Sequence, residues 1–176
     1  MVRRTSVLLA AVALVSTLSM APAQAYHGNG LHWAGSGVRT VYVTDKTRSA
    51  TWAPIIDRAI NTWNAGRTNV HLVRRTGSGS CGMTGGDMEV CLGGTSAGVA
   101  HWSYNASSRT FNGTSINVNG SATRYGEALM CHEIGHSLGL GHRRSNETSS
   151  CMTPAVAPGQ THPDQHDYDT VAAQHR

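Results

Sequence analysis

The chain has 176 residues, with 14 Lys and Arg against 10 Asp and Glu, and a formal net charge of +4. This length predicts one domain. The only lysine is Lys46 and there is no basic patch, so a nucleic-acid partner is not expected. No segment after residue 25 approaches the roughly 20 apolar residues that a membrane helix needs, so we expect no membrane partner either.

The amino-terminal residues have the pattern of a signal peptide. Two arginines lie among the first four residues, the apolar run Val7–Leu18 is too short to span a bilayer, and Ala23–Ala25 is an A-x-A cleavage signal. We therefore predict a signal peptide over residues 1–25 and a secreted mature chain over residues 26–176. The alternative is a buried amino-terminal helix. Removal of the signal peptide would leave 12 of the 14 basic residues against 10 acidic residues. Part of the excess positive charge therefore lies in the predicted signal peptide.

The first elements of the mature chain predict a β-α-β unit. Val38–Val43 and Val70–Arg74 are rich in β-branched residues or alternate in polarity, which favours strands. Between them, Thr51–Trp63 repeats its apolar residues at helical spacing and carries Pro54 in its first turn, where proline is tolerated. Two strands joined by a helix indicate a partly parallel sheet with a crossover helix.

The second half of the chain alternates loops with short elements. Residues 77–98 are rich in glycine and are expected to be mostly loop. Short strands are predicted at Val99–Tyr104 and Ser115–Val118. Helices are predicted at Arg124–Leu138 and Pro163–Gln174.

The four cysteines indicate disulfide bonds. An exported chain meets an oxidising compartment, where an even number of cysteines favours pairing. Three connectivities are possible, and we expect the sequential one, Cys81–Cys91 and Cys131–Cys151. The alternative is a cysteine metal site, but the spacings contain no C-x-x-C pair.

The strongest signal in the sequence is the H-E-x-x-H motif from His132 to His136. On a helix, residues i and i+4 lie on the same side, so both imidazoles can direct a nitrogen at one Zn²⁺ ion. The motif continues to His142 through Gly139, which can end the helix with a positive φ and turn the chain back. We therefore predict His132, His136 and His142 as zinc ligands.

This ligand set is typical of a catalytic zinc site, because three neutral histidines leave one position open. Glu133 lies beside the ligands and is expected to act as general base on a zinc-bound water and to pass the proton to the leaving amine. The alternative, an accidental cluster of histidines, does not explain Gly139 or the export signal.

With Gly139 and His142, the motif H-E-x-x-H-x-x-G-x-x-H resembles the signature of the metzincin metallopeptidases. Metzincins also carry a methionine in a tight turn beneath the zinc, and Met152 fits this position. Within that group the chain is most similar to matrixins and to small secreted bacterial enzymes like them. Residues 128–142 look like the matrixin active-site helix, and Met152–Pro154 resembles its Met-Tyr-Pro turn.

The resemblance implies an α+β fold for residues 26–176. The expected metzincin-like catalytic domain has a small mixed twisted sheet, an active-site helix, a crossover helix and a C-terminal helix. In this arrangement the active-site helix and the methionine turn lie close together, which supports the Cys131–Cys151 pairing. Residues 99–102 resemble the edge strand along which matrixin substrates bind.

The function implied is that of a secreted zinc endopeptidase, acting as a monomer on extracellular proteins or peptides. An extended peptide would add to the edge strand. Pro154, Ala155 and Val156 would line the pocket for the side chain that follows the cut, which implies an apolar preference. The alternative is a zinc-holding binding module with little or no turnover.

Overall fold

The structure is a computed structural model and describes residues 27–83, 85–144 and 149–176. The predicted signal peptide and the first predicted mature residue, Tyr26, lie outside the described residues. Among the residues that are described, no helix is both long and apolar enough to cross a membrane.

The described residues form one five-stranded mixed sheet. Its spatial order is β2-β1-β3-β5-β4, in which β4 is an edge strand, antiparallel to β5, and the other neighbouring pairs are parallel. The strands are β1 (Arg39–Asp45), β2 (Val70–Thr76), β3 (Met88–Leu92), β4 (Gly98–Asn105) and β5 (Thr110–Val118). The sheet is therefore mixed, as predicted, and one of its edges is β4, which contains residues 99–102.

Three α-helices accompany the sheet: α1 (Trp52–Asn64), α2 (Gly126–Ser137) and α3 (Gln165–Gln174). Helix α1 connects the parallel strands β1 and β2, so the predicted β-α-β unit is confirmed. Helix α2 is shorter than predicted, because Ala122–Tyr125 form a 3-10 turn before it. Pro163 lies before α3 rather than inside it, since Asp164 caps the helix with extended backbone.

The prediction for residues 77–98 missed strand β3. Its five residues pair in parallel with β1 on one side and β5 on the other, so it lies at the centre of the sheet. Glycines on both sides of this short apolar run weaken the strand signal in the sequence. The pairing of two neighbouring strands stabilises the run as β-structure despite its flanks.

Helices α1 and α2 pack closely against each other and hold the active-site motif in place. A Cβ atom at Gly126 would lie 2.6 Å from Cδ1 of Ile55, so glycine permits the close approach of the two helices. The indole Nε1 of Trp63 donates a 3.0 Å hydrogen bond to the carbonyl oxygen of Cys131. Both Trp63 and Cys131 are buried, which fixes α2 immediately before His132.

Both expected disulfides are present in the structure. Cys81 pairs with Cys91, and Cys131 pairs with Cys151. The first bridge joins the glycine-rich segment to strand β3. The second joins α2 to the residue that precedes Met152.

Candidate active site

Two histidines of α2 point the same way, as their spacing predicts. The Nε2 atoms of His132 and His136 lie 3.0 Å apart, one helical turn from each other. His132 is buried, and His136 is partly exposed at the end of the helix.

The helix ends in a Schellman turn at Gly139. Gly139 N–H donates to the carbonyl oxygen of His136 and Leu140 N–H to that of Gly135, each at 3.0 Å. Gly139 has φ +89°, and a Cβ atom there would overlap the carbonyl oxygen of Leu31. Both conditions require glycine, so the chain turns back where the sequence predicts that it does.

The turn returns His142 to the two helical histidines. Its Nε2 atom lies 3.2 Å from the Nε2 of His132 and 3.2 Å from that of His136. A tetrahedral ion with bonds of ~2.0–2.1 Å holds its ligand atoms about 3.3 Å apart. The three nitrogens therefore have the spacing at which they could hold one metal ion.

Hydrogen bonds on the far side of two rings support this fit. Nδ1 of His132 lies 2.7 Å from the carbonyl oxygen of Cys151, and Nδ1 of His136 lies 2.8 Å from that of Leu140. A carbonyl oxygen only accepts, so each Nδ1 carries the proton and each Nε2 presents a lone pair. Two lone pairs 3.0 Å apart repel each other unless a cation lies between them.

Burial keeps the two helical histidines neutral at physiological pH. It lowers the pKa of His132 to about 4, an effect to which the neighbouring His136 adds. Burial likewise lowers the pKa of His136. A neutral imidazole is the form that binds a metal ion.

Glu133 lies next to the histidine cluster, against strand β4. Burial raises the pKa of its carboxyl group to about 7, and a backbone hydrogen bond from Ala100 opposes that shift. A Cβ atom at Gly98 would lie 3.0 Å from Oε1 of Glu133 and 2.8 Å from Cδ1 of Leu129. A carboxylate with a pKa near 7 can both take up and release a proton at neutral pH.

A cavity of about 360 Å³ opens beside His132 and Glu133. Its wall combines the start of β4, one face of α2 and the chain after Met152, and most of its side chains are apolar. It is lined by Ala97, Gly98, Tyr125, Leu129, His132, Glu133, Pro154 and Val156. The cavity can therefore receive an apolar side chain next to the buried carboxylate.

Met152 packs against α2 at Gly135 and is fully buried. A Cβ atom at Gly135 would overlap its Sδ atom and would lie 3.0 Å from Cζ2 of Trp63. Arg143 N–H donates a 2.8 Å hydrogen bond to the carbonyl oxygen of Met152, which ties the segment after His142 to the methionine turn.

All four residues predicted for the site lie together, but the sequence did not predict their immediate supports. These are the carbonyl groups of Cys151 and Leu140, the backbone of Ala100 and the space left by Gly98. Because nearly every residue type carries the same backbone groups, the sequence does not reveal which of them make these contacts. The position of Gly98 directly before the predicted strand was the one available signal.

The fold and the cluster together define a metzincin-type metallopeptidase. The matrixin family model matches residues 61–175. The chain therefore belongs to the matrixin family of peptidases.

Similar proteins agree with this assignment. Serralysin from Photorhabdus laumondii subsp. laumondii is 34% identical over 114 residues, which are 59% of this chain and 22% of that protein. Serralysin from Photorhabdus luminescens is 33% identical over 114 residues, with the same coverage. The matched region is thus about a fifth of the length of these relatives.

Solved structures share the fold at low sequence identity. Archaemetzincin from Methanopyrus kandleri superposes with a TM-score of 0.51 and 13% identity, covering 80% of this chain and 96% of that chain. Myroilysin superposes with a TM-score of 0.54 and 10% identity, covering 82% of each chain. At this identity the likeness shows the fold alone.

Proposed function

We propose that this chain is a secreted zinc endopeptidase. In this proposal His132, His136 and His142 hold the zinc ion and Glu133 is the general base. The observation that carries it is the convergence of three Nε2 atoms within 3.0–3.2 Å, beside a buried carboxylate. Residues 1–25 and the two disulfides support export, since disulfides persist in oxidising compartments.

The donor set fits Zn²⁺, which prefers imidazole nitrogen and tetrahedral geometry. When bound, the ion lowers the pKa of a water molecule and polarises the scissile carbonyl group. Glu133 takes the proton from the attacking water and delivers it to the nitrogen of the leaving amine. The carbonyl groups of Cys151 and Leu140 orient the rings of His132 and His136 and increase their basicity.

The substrate is a peptide that lies extended along β4. This strand pairs only with β5 among the described residues, so its outer edge offers free backbone groups for hydrogen bonds. The side chain that follows the cut enters the cavity beside Glu133. Leu129, Pro154 and Val156 line that cavity, which favours an apolar side chain.

The second candidate function is a zinc-holding binding module. It shares the histidine cluster but gives no role to Glu133, whose burial costs free energy. Digestion of an unfolded protein such as reduced casein, with mapping of the new termini by mass spectrometry, separates the two functions. We expect cleavage before apolar residues, abolished by a chelator and restored by zinc. A zinc-loaded protein that leaves every substrate intact would favour the binding module.

A further inference from the structure

We propose a second metal site, distinct from the candidate active site, formed by His27, His166 and Asp167. His27 belongs to the segment before β1, and the other two residues lie in the first turn of α3. The nearest ligand atoms of the three side chains all lie within 4.8 Å of one another. The geometry therefore gathers two imidazoles and one carboxylate from distant parts of the chain.

The two oxygens of Asp167 have different surroundings. Oδ2 accepts hydrogen bonds from the Ser150 hydroxyl group and, at 2.8 Å, from the backbone N–H of Asp164. Oδ1 is fully buried and faces two basic side chains instead of backbone or hydroxyl donors. Oδ1 lies 2.9 Å from Nε2 of His27 and 3.5 Å from Nη1 of Arg143. Oδ2 is thus saturated, whereas Oδ1 lies in an ion pair with His27, and a metal ion bound by both side chains would take the place of that ion pair.

Each histidine of the cluster has one buried ring nitrogen without a partner among the residues that the structure describes. The side chain of His27 is 5% exposed; its Nε2 faces Oδ1 of Asp167, and its Nδ1 has no hydrogen-bond partner within the described ranges. Nδ1 of His166 is also buried without a partner there. Nδ1 of His27 and Nδ1 of His166 are two of the nine such side-chain atoms in the described part of the chain. Two such nitrogens beside one buried carboxylate indicate a shared missing partner, because buried polar groups are otherwise satisfied.

A divalent ion of the zinc class suits this donor set. The two rings are stacked at 19° with their centroids 4.9 Å apart, a separation within the 4.5–5.0 Å range of the active-site cluster, whose rings are more steeply inclined to one another. Imidazole nitrogen with carboxylate oxygen is a common zinc combination, whereas calcium and magnesium prefer oxygen alone. Asp164 lies 3.1 Å from Nη1 of Arg143 and offsets the charge of that guanidinium group.

The site would join the amino-terminal segment to the loop that carries His142. The carbonyl oxygen of His27 accepts a hydrogen bond from Gly141 N–H, and Gly28 forms an antiparallel bridge with Leu140. A metal ion on His27 and Asp167 would therefore fix the segment that supports this loop. Its role is structural, and the proposal does not depend on the peptidase activity.

Counting bound metal ions tests the proposal. The purified mature protein is stripped of metal, dialysed against zinc and analysed by mass spectrometry for zinc per chain. We expect two zinc ions in the wild type, one in His166→Ala, one in His142→Ala and none in the double variant. His71→Ala, at an exposed histidine of β2, is the matched control and should keep two ions. Thermal melts verify that each variant is folded.

Each departure from this pattern has a defined meaning. One zinc ion in the wild type, lost in His142→Ala and kept in His166→Ala, would overturn the second site and leave a buried ion pair between His27 and Asp167. One zinc ion lost only in His166→Ala would support the second site and contradict the proposed active site. A cobalt-substituted wild-type protein gives an independent readout, since two sites of different donor sets give two sets of visible absorption bands.

Discussion

Nδ1 of His132 lies 2.7 Å from the carbonyl oxygen of Cys151, the residue that a disulfide joins to Cys131. A covalent bond and a hydrogen bond therefore run in parallel between α2 and the turn before Met152. The same few residues fix the orientation of a candidate metal ligand and the position of Met152, the next residue after Cys151.

This relationship predicts the effect of removing the Cys131–Cys151 bridge. The bond closes a loop of 20 residues, which is worth roughly 3 kcal/mol in the chain-entropy model. We expect the double variant Cys131→Ser, Cys151→Ser to unfold at lower denaturant concentration and to bind zinc more weakly. The matched control is Cys81→Ser, Cys91→Ser, which we expect to lose stability but to keep its zinc affinity. Equal loss of zinc affinity in both variants would contradict the link to His132.

Gly135 is predicted to be required because it lies against Met152. Alanine would favour the helix by about 1 kcal/mol, but its Cβ would overlap the sulfur of the fully buried Met152. Overpacking of this kind costs about 1–3 kcal/mol. We therefore expect Gly135→Ala to lower both the melting temperature and the zinc affinity. Gly120→Ala is the control, since a Cβ there meets nothing within 4 Å; similar behaviour of the two variants would refute the packing argument.

Gly98 is predicted to position the carboxylate of Glu133. An added Cβ would press on Oε1 of Glu133 and on Leu129, so Gly98→Ala should displace the carboxylate without touching the histidines. We expect kcat to fall at least several-fold while the zinc content stays unchanged. Gly93→Ala serves as control, because the nearest atom to its Cβ would be 3.9 Å away. Full activity of Gly98→Ala would show that the carboxylate can relax without loss.

Acid sensitivity is predicted from His175, which is fully buried in α3's carboxyl-terminal cap. Burial lowers its pKa to about 4, and a hydrogen bond to Val171 opposes that shift. Between pH 4 and 6.5 the unfolded chain binds a proton that the folded chain does not, so stability falls as the pH drops through this window. Relative to neutral pH, His175 lowers the free energy of unfolding by about 3 kcal/mol at pH 4.

Denaturant unfolding of the metal-free protein between pH 4 and 7 measures this effect. His175→Leu should have a flatter pH profile than the wild type across the window. His71→Leu, at an exposed position, should keep the wild-type slope. A wild-type slope in His175→Leu would assign the acid sensitivity to other groups.

The sequence predicted the parts of the fold that depend on local pattern. The spacing of His132 and His136 places them on one face of a helix, and Gly139 supplies the positive φ that returns His142. The role of these residues remains a prediction, but their convergence follows from helical geometry. The β-α-β unit was predictable for the same reason, since apolar periodicity marks each element.

The remaining features depend on contacts between distant segments. Strand β3 is stabilised by pairing with β1 and β5, which its glycine-rich flanks do not reveal. The cluster at Asp167 forms because the segment around His27 packs beneath the loop before His142. Nothing in the spacing of His27 and Asp167 along the chain indicates that contact.

The most direct test of the proposed peptidase compares the wild type with Glu133→Gln, both purified and loaded with zinc in parallel. Zinc content and the kcat for one peptide with an apolar residue after the cut are measured on the same samples. Glutamine keeps the size of the side chain but cannot accept the proton, so we predict unchanged zinc and a kcat lower by about 10²-fold or more. Near wild-type turnover by a zinc-loaded Glu133→Gln enzyme would contradict the role of Glu133 as general base.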